Sequence, residues 1–260
     1  MVRSFYDTIV VKIIRKELDD LKHNKDRACD GTFKCRSDIY YQLFTLHIVI
    51  QNISIPRLFV LLLSKSQVTY RRLFSALKDL HPSLEPDTLM VDFGKAIINA
   101  FCEILPTTNI TGCLFHMAKN ICRHIVDIGL KPRYQTDAEF NNKIKCFTAL
   151  AFLPVSDVID GFLEMTDDDN LPQEFVSYFE THYIGRERGQ GKRRRMKSTF
   201  PIELWNVFER TQNNMMRTSN SVEGFNSVMQ SSITNMHPNL WKHITYLKKE
   251  VHYRKRKNVI

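Results

Sequence analysis

Early in the chain, short apolar runs rich in β-forming residues alternate with polar turn residues: CDGTFKC from Cys29, IYYQLFTLHIVI to Ile50, and PRLFVLLL from Pro56. Runs of four to eight residues rich in β-branched and aromatic side chains, broken by turn residues such as Gln51-Asn52, predict three strands in a meander. A helical period follows. In TYRRLFSALKDL, Tyr70, Leu73, Phe74, Leu77 and Leu80 fall on one helical stripe, which His81-Pro82 ends. DTLMVD predicts a short strand ending at Asp92, GKAIINAFCEIL a helix up to Pro106, and NITGCLFH a further strand. A helix over Met117 to Ile128 packs Met117, Ile121 and Ile125 on one side.

Before this block, residues 1–27 join the short apolar run Ile9 to Ile14 to a charged stretch, KHNKDR, and predict a helix fraying into a linker. Residues 28–133 then read βββαβαβα. From 134 to 212 no alternating strand is found; FNNKIKCFTALAFL, SDVIDGFLEMT, EFVSYFETHYI and FPIELWNVFER are helical in period, which predicts an all-helical insertion. Residues 213–260 return to helix, with Ser219 or Ser221 as N-cap of SNSVEGFNSVMQSSI and a last helix from Leu240 to Lys255.

A chain of 260 residues with 43% hydrophobic content can bury a substantial core. No apolar run approaches the eighteen residues a membrane helix needs, which predicts a soluble protein, and the N-terminus offers no secretory signal. Six cysteines, at positions 29, 35, 102, 113, 122 and 146, are scattered without a small-scaffold framework and predict free thiols in a reducing compartment. The net charge of +9 is concentrated in KRRRMK at Lys192 to Lys197 and RKRK at Arg254 to Lys257. Such clusters contact phosphates, here predicting DNA at Lys192, Arg193, Arg194, Arg195 and Lys197, or serve as nuclear-import signals; a solvated loop and a frayed tail are the ordinary alternative.

A mixed sheet opening with a three-strand meander, one acid on its first strand and another at the end of its fourth, is the layout of an RNase H-like fold, in which those two strands are neighbours. Asp30 and Asp92 then lie side by side and a helical Glu223 reaches them from the side. Three converging carboxylates repel one another unless cations sit between them, so a hard divalent ion, Mg2+ or Mn2+, is the natural occupant, and two such ions serve in-line displacement at phosphorus. Each acid also has an ordinary role open to it: Asp30 as a turn residue before Gly31, Asp92 as an N-cap before the next helix, Glu223 as a first-turn acid.

At these residues the chain resembles the Mutator-like element (MULE) transposases. The similar stretches are DGTFKCRSDIYYQLFTLH at Asp30 to His47, PRLFVLLLSKSQVTYRRLF at Pro56 to Phe74, MVDFGKAIINAF at Met90 to Phe101, CLFHMAKNI at Cys113 to Ile121, FPIELWNVFE at Phe200 to Glu209 and RTSNSVEGFN at Arg217 to Asn226. The resemblance implies a DDE-type transposase: an RNase H-like core with a helical insertion before the glutamate, cutting and joining DNA strands with Asp30, Asp92 and Glu223 as metal-holding acids. It also implies a dimer or higher assembly. Cys113 and His116 match the family's cysteine and histidine, and His116 would orient a phosphate or an acid; zinc is the competing thought, with only Cys122 and His124 near in sequence.

Two departures qualify the resemblance. The approach to Asp30, NKDRAC, is charged where the family has an apolar half-strand, which predicts a short or frayed first strand. After Glu223 the family's tryptophan and histidine are Phe225 and Asn226, and asparagine cannot transfer protons as histidine does. A domesticated or degenerate derivative that binds DNA without catalysis therefore stands beside the active enzyme. A protein-interaction module using Trp205, Tyr178 and Phe179 is the third reading.

Overall fold

The computed structural model describes residues 2–5, 9–12, 15–32, 40–80, 82–167, 170–189, 195–232 and position 245. Lys192, Arg193 and Arg194, the 254–257 tail and most of the expected last helix lie outside the described residues. The chain forms two compact units, one of residues 1–110 with 219–260 and one of residues 111–218.

A seven-stranded mixed sheet organises the first unit, in the order β1-β2-β5-β4-β3-β6-β7. The meander falls where the β-rich runs place it, as β3 (Asp26–Thr32), β4 (Gln42–Ile50) and β5 (Ile53–Leu62). These pair antiparallel, with Gln51 and Asn52 turning β4 into β5 at positive φ, 48° and 64°. Asparagine tolerates that region through its short polar side chain. β6 (Thr88–Val91) lies parallel to β3, and β7 (Asn109–Gly112) flanks it.

Alternation divides the side chains between two faces. Cys29 of β3, Phe44, Leu46 and Ile48 of β4, Leu58, Val60 and Leu62 of β5, and Leu89 and Val91 of β6 join one buried cluster. That cluster is closed by Leu73 and Phe74 of α2 (Gln67–Leu80) and Ile97 and Phe101 of α3 (Lys95–Ile104). Both helices are laid down by apolar stripes three and four residues apart. The Phe74 and Phe101 rings stack 3.8 Å apart. The other face receives α11 (Asn220–Ser232), which packs on β3 and β5.

Two expectations about the N-terminal region are corrected. Residues 1–27 are not a fraying helix alone: β1 (Val2–Phe5) and β2 (Ile9–Lys12) form an antiparallel pair that extends the sheet beyond β5, and only α1 (Arg15–His23) is helical. The apolar run at Ile9 is too short for its period to separate helix from strand, and pairing with the edge of β5 makes it a strand. Nor is the first strand short. β3 runs seven residues because its charges find partners: the buried Arg27 donates to the carbonyls of Leu21 and Leu84, and Asp26 accepts from the Thr88 hydroxyl at 2.6 Å.

The second unit is helical around an aromatic centre. Its helices are α4 (Leu114–Asp127), α5 (Lys131–Thr136), α6 (Ala138–Ala149), α7 (Val158–Thr166), α8 (Gln173–Phe179), α9 (Ile202–Trp205) and α10 (Phe208–Gln212), with a π-helical turn over Glu180–Ile184. As the spacing predicts, Met117, Ile121 and Ile125 are the buried positions of α4. Phe147 meets Phe175 and Phe179 edge-on at 4.8 and 5.0 Å, and the Trp205 indole donates to the Tyr183 carbonyl at 3.1 Å. Trp205 and Phe179 are fully buried, so neither is an exposed contact for a partner, and the interaction-module reading keeps only the partly buried Tyr178 of its three anchors. No helix among the described residues is long and apolar enough to cross a membrane.

Candidate functional site

Since Cys29 points to the α2–α3 side, its neighbours Ala28 and Asp30 point to the α11 side. In β6, Leu89 and Val91 join the same apolar cluster, so Met90 and, one step past the strand, Asp92 fall on the α11 side as well. The parallel register pairs Ala28 with Met90. Two residues further along both strands, Asp30 stands level with Asp92. Both carboxylates also push the Cys29 thiol further from ionising, after burial, which raises it most. Asp30 thus lies within a strand, not at a turn.

Each of the two acids has one oxygen committed to a nitrogen donor. Asp92 Oδ1 accepts from the Gly94 backbone N–H at 3.0 Å, and a Cβ at position 94 would come within 3.0 Å of that same oxygen. The N-cap of α3 is Gly94, so Asp92 is not the capping residue. Asp30 Oδ2 accepts from Asn226 Nδ2 at 2.7 Å, across 196 residues of sequence. Gly31 is required beside it: a Cβ there would run into Gln42 Oε1, and Gln42 is held by bonds to the Tyr70 hydroxyl and the Ser64 carbonyl.

The backbone of Asp30 is fixed from β4. Thr45, which pairs with Asp30, donates its hydroxyl to the Asp30 carbonyl at 3.3 Å. That hydroxyl is then an acceptor for the buried His47, whose Nε2 lies 3.1 Å away and carries the proton. The Phe225 ring closes the face, edge-on to His47 at 5.5 Å and 5.9 Å from Phe59.

Glu223 sits in the first turn of α11, whose start is set by Ser219: its carbonyl accepts the N–H groups of Val222 and Glu223. Three residues separate Glu223 from Asn226, so the two share a helix face. Oxygen donors of this kind suit a hard divalent cation. Among the described residues, however, no three His, Cys, Asp or Glu side chains are gathered closely enough to hold a metal ion. Asn226, which sequence reasoning counted only as a lost histidine, is the side chain that touches Asp30.

The remaining expected residues lie in the second unit. Cys113 is the buried N-cap of α4 and His116 lies in its first turn, half-buried. Beside Cys113, the buried Arg210 donates to the carbonyls of Gly112 and Asn206 at 3.2 and 3.0 Å, and burial lowers its pKa to about 10. Nothing in the local sequence marked Arg210. Of the basic loop, Lys197 is exposed, whereas Arg195 is turned inward, pairing with Glu180 and donating to the Gly185 carbonyl at 2.8 Å.

These elements define a mixed α/β protein with two acids aligned on one face of its sheet and a third on the helix that covers that face. Residues 28–120 match the MULE transposase domain, and over this stretch the chain is similar to MULE transposases. The matched stretch contains Asp30, Asp92, Cys113 and His116 and stops short of Glu223. No curated protein matches the chain.

Proposed function

We propose that the chain is the catalytic region of a DDE-type DNA transposase with an RNase H-like core, residues 28–133 and 213–260, interrupted by a helical insertion over 134–212. The alignment of Asp30 with Asp92 on the α11 face carries this reading, supported by the domain match. Asp30, Asp92 and Glu223 would hold Mg2+ or Mn2+, which when bound supplies charge neutralisation at the phosphate under attack. The protein's own part is to fix the acids. Thr45 holds the Asp30 backbone, Gly94 holds the Asp92 carboxylate, and Phe225 with Phe59 closes an apolar floor that excludes water. DNA, the partner, is met by basic side chains such as Lys197, and the chain acts in the nucleus as a homo-oligomer.

The second reading is a transposase-derived DNA-binding protein without catalysis. It is favoured by Asn226 standing on Asp30 where the family has histidine, with no three-acid group gathered among the described residues. Nicking of supercoiled plasmid by the purified chain with Mg2+ or Mn2+ separates the two. Activity abolished in Asp30→Asn, Asp92→Asn and Glu223→Gln alike supports the enzyme; salt-sensitive DNA binding with no nicking leaves the derivative.

A further inference from the structure

Asn226 is buried to 3% exposure on a helix whose neighbouring positions on the same side, Val222, Phe225 and Met229, are apolar. A carboxamide in such a place costs free energy unless both its ends are used. One end is: Nδ2 lies 2.7 Å from Asp30 Oδ2. This orientation is forced, because a carboxylate oxygen accepts and only the amide nitrogen can donate to it. The carbonyl Oδ1 is buried with no protein partner among the described residues.

The backbone of Asp30 is held as well. Thr45 reaches the Asp30 carbonyl, His47 steadies Thr45, and Phe225 packs its edge against His47. Asn226 follows Phe225 directly, so the aromatic contact that seats α11 on the sheet also aims the carboxamide at Asp30. Leucine would fill the same volume without placing a polar group in the core. The expense of a buried amide is understandable if the direction of the Asp30 carboxylate matters.

We propose that Asn226 is the positioning residue of the first acid: its N–H fixes the Asp30 carboxylate so that one oxygen is tied to α11 and the group keeps a set orientation toward Asp92. This rests on the reading of Asp30 and Asp92 as holders of a divalent cation. Groups that orient the ligands of a metal typically change its affinity ten- to a hundredfold when removed.

The test titrates Mn2+ into the purified full chain by electron paramagnetic resonance, comparing wild type, Asn226→Leu, Asn226→His and Asp92→Asn, with thermal melts of each. Asn226→Leu keeps the volume and removes the donor; its Mn2+ affinity is expected to fall ten- to a hundredfold at an unchanged or higher melting temperature. Asn226→His restores a ring N–H and is expected to recover most of that loss. Asp92→Asn marks how far affinity falls when a ligand itself is removed. Unchanged Mn2+ affinity in Asn226→Leu, with Asp92→Asn impaired, overturns the positioning role and leaves the metal site standing. A wild-type chain that takes up no Mn2+ overturns the metal reading itself, and the Asn226–Asp30 bond is then packing alone.

Discussion

The two faces of the central sheet are made by alternate residues of the same strands and differ in chemistry: one is almost wholly apolar, the other gathers the acids. Toward α2 and α3 the strands present Cys29, Phe44, Leu46, Ile48, Leu58, Val60, Leu89 and Val91, an apolar layer into which Gln42 and the buried Arg27 also project. Toward α11 they present Asp30, Thr45, His47 and Asp92 among the buried Leu43, Phe59, Leu61 and Met90, and the polar groups are met by Asn226 and, on the same helix side, Glu223. Burial drives the first face at about 25 cal/mol per Å2 of apolar surface. The second bears the desolvation of polar groups, tolerable only because they bond to one another. One face holds the fold; the other spends part of that stability on keeping charged groups in fixed places.

Substitutions of graded severity test this contrast. The largest effect is expected from Phe74→Ala on the apolar face: loss of a fully packed ring should cost about 3–5 kcal/mol in urea unfolding, while nicking per folded molecule stays unchanged. Gly31→Ala forces Gln42 off its Tyr70 and Ser64 bonds and should cost about 1–3 kcal/mol, read as a drop in the unfolding midpoint at constant slope. Thr45→Val on the polar face should cost only about 1 kcal/mol, yet lower nicking more than Phe74→Ala does; equal effects on both would erase the distinction between the faces.

The smallest effect concerns pH. Burial, reinforced by Asp92 and Asp30, raises the Cys29 thiol well above its ordinary range. The folded chain therefore keeps Cys29 neutral where the unfolded chain ionises it. Its contribution to stability is whole below a thiol pKa of about 8.5 and drains away as pH climbs beyond that. Cys29→Val should flatten the alkaline limb of a stability-against-pH curve, and in the native protein Cys29 should resist thiol reagents that modify the exposed Cys102 and Cys146.

Much of the sheet and its flanking helices was legible because β-rich runs bounded by turn residues and the 3.6-residue period are local properties: the meander, α2, β6, α3 and the buried positions of α4 all follow from them. Asp30 and Asp92 could be placed from the strand pattern alone. What escaped depends on distant partners. The strand character of DRAC rests on carbonyls of Leu21 and Leu84 that satisfy Arg27, and a charged tetrapeptide gives no hint of them. The N-terminal strand pair needed an open edge at β5 to declare itself. Asn226 looked like a defect in a motif because its partner is 196 residues away.

That separation has a consequence for how the protein comes into being. The acid on β3 is synthesised 196 residues ahead of its anchor on α11. At about 5–20 residues per second of synthesis, roughly 10–40 seconds pass between them. During that interval the polar face of the sheet has no lid, so the nascent chain must hold a half-built, water-exposed layer of polar side chains until α11 arrives. Chaperone dependence during translation, and loss of the sheet on truncation before Ser219, are the marks such a late-closing fold would leave.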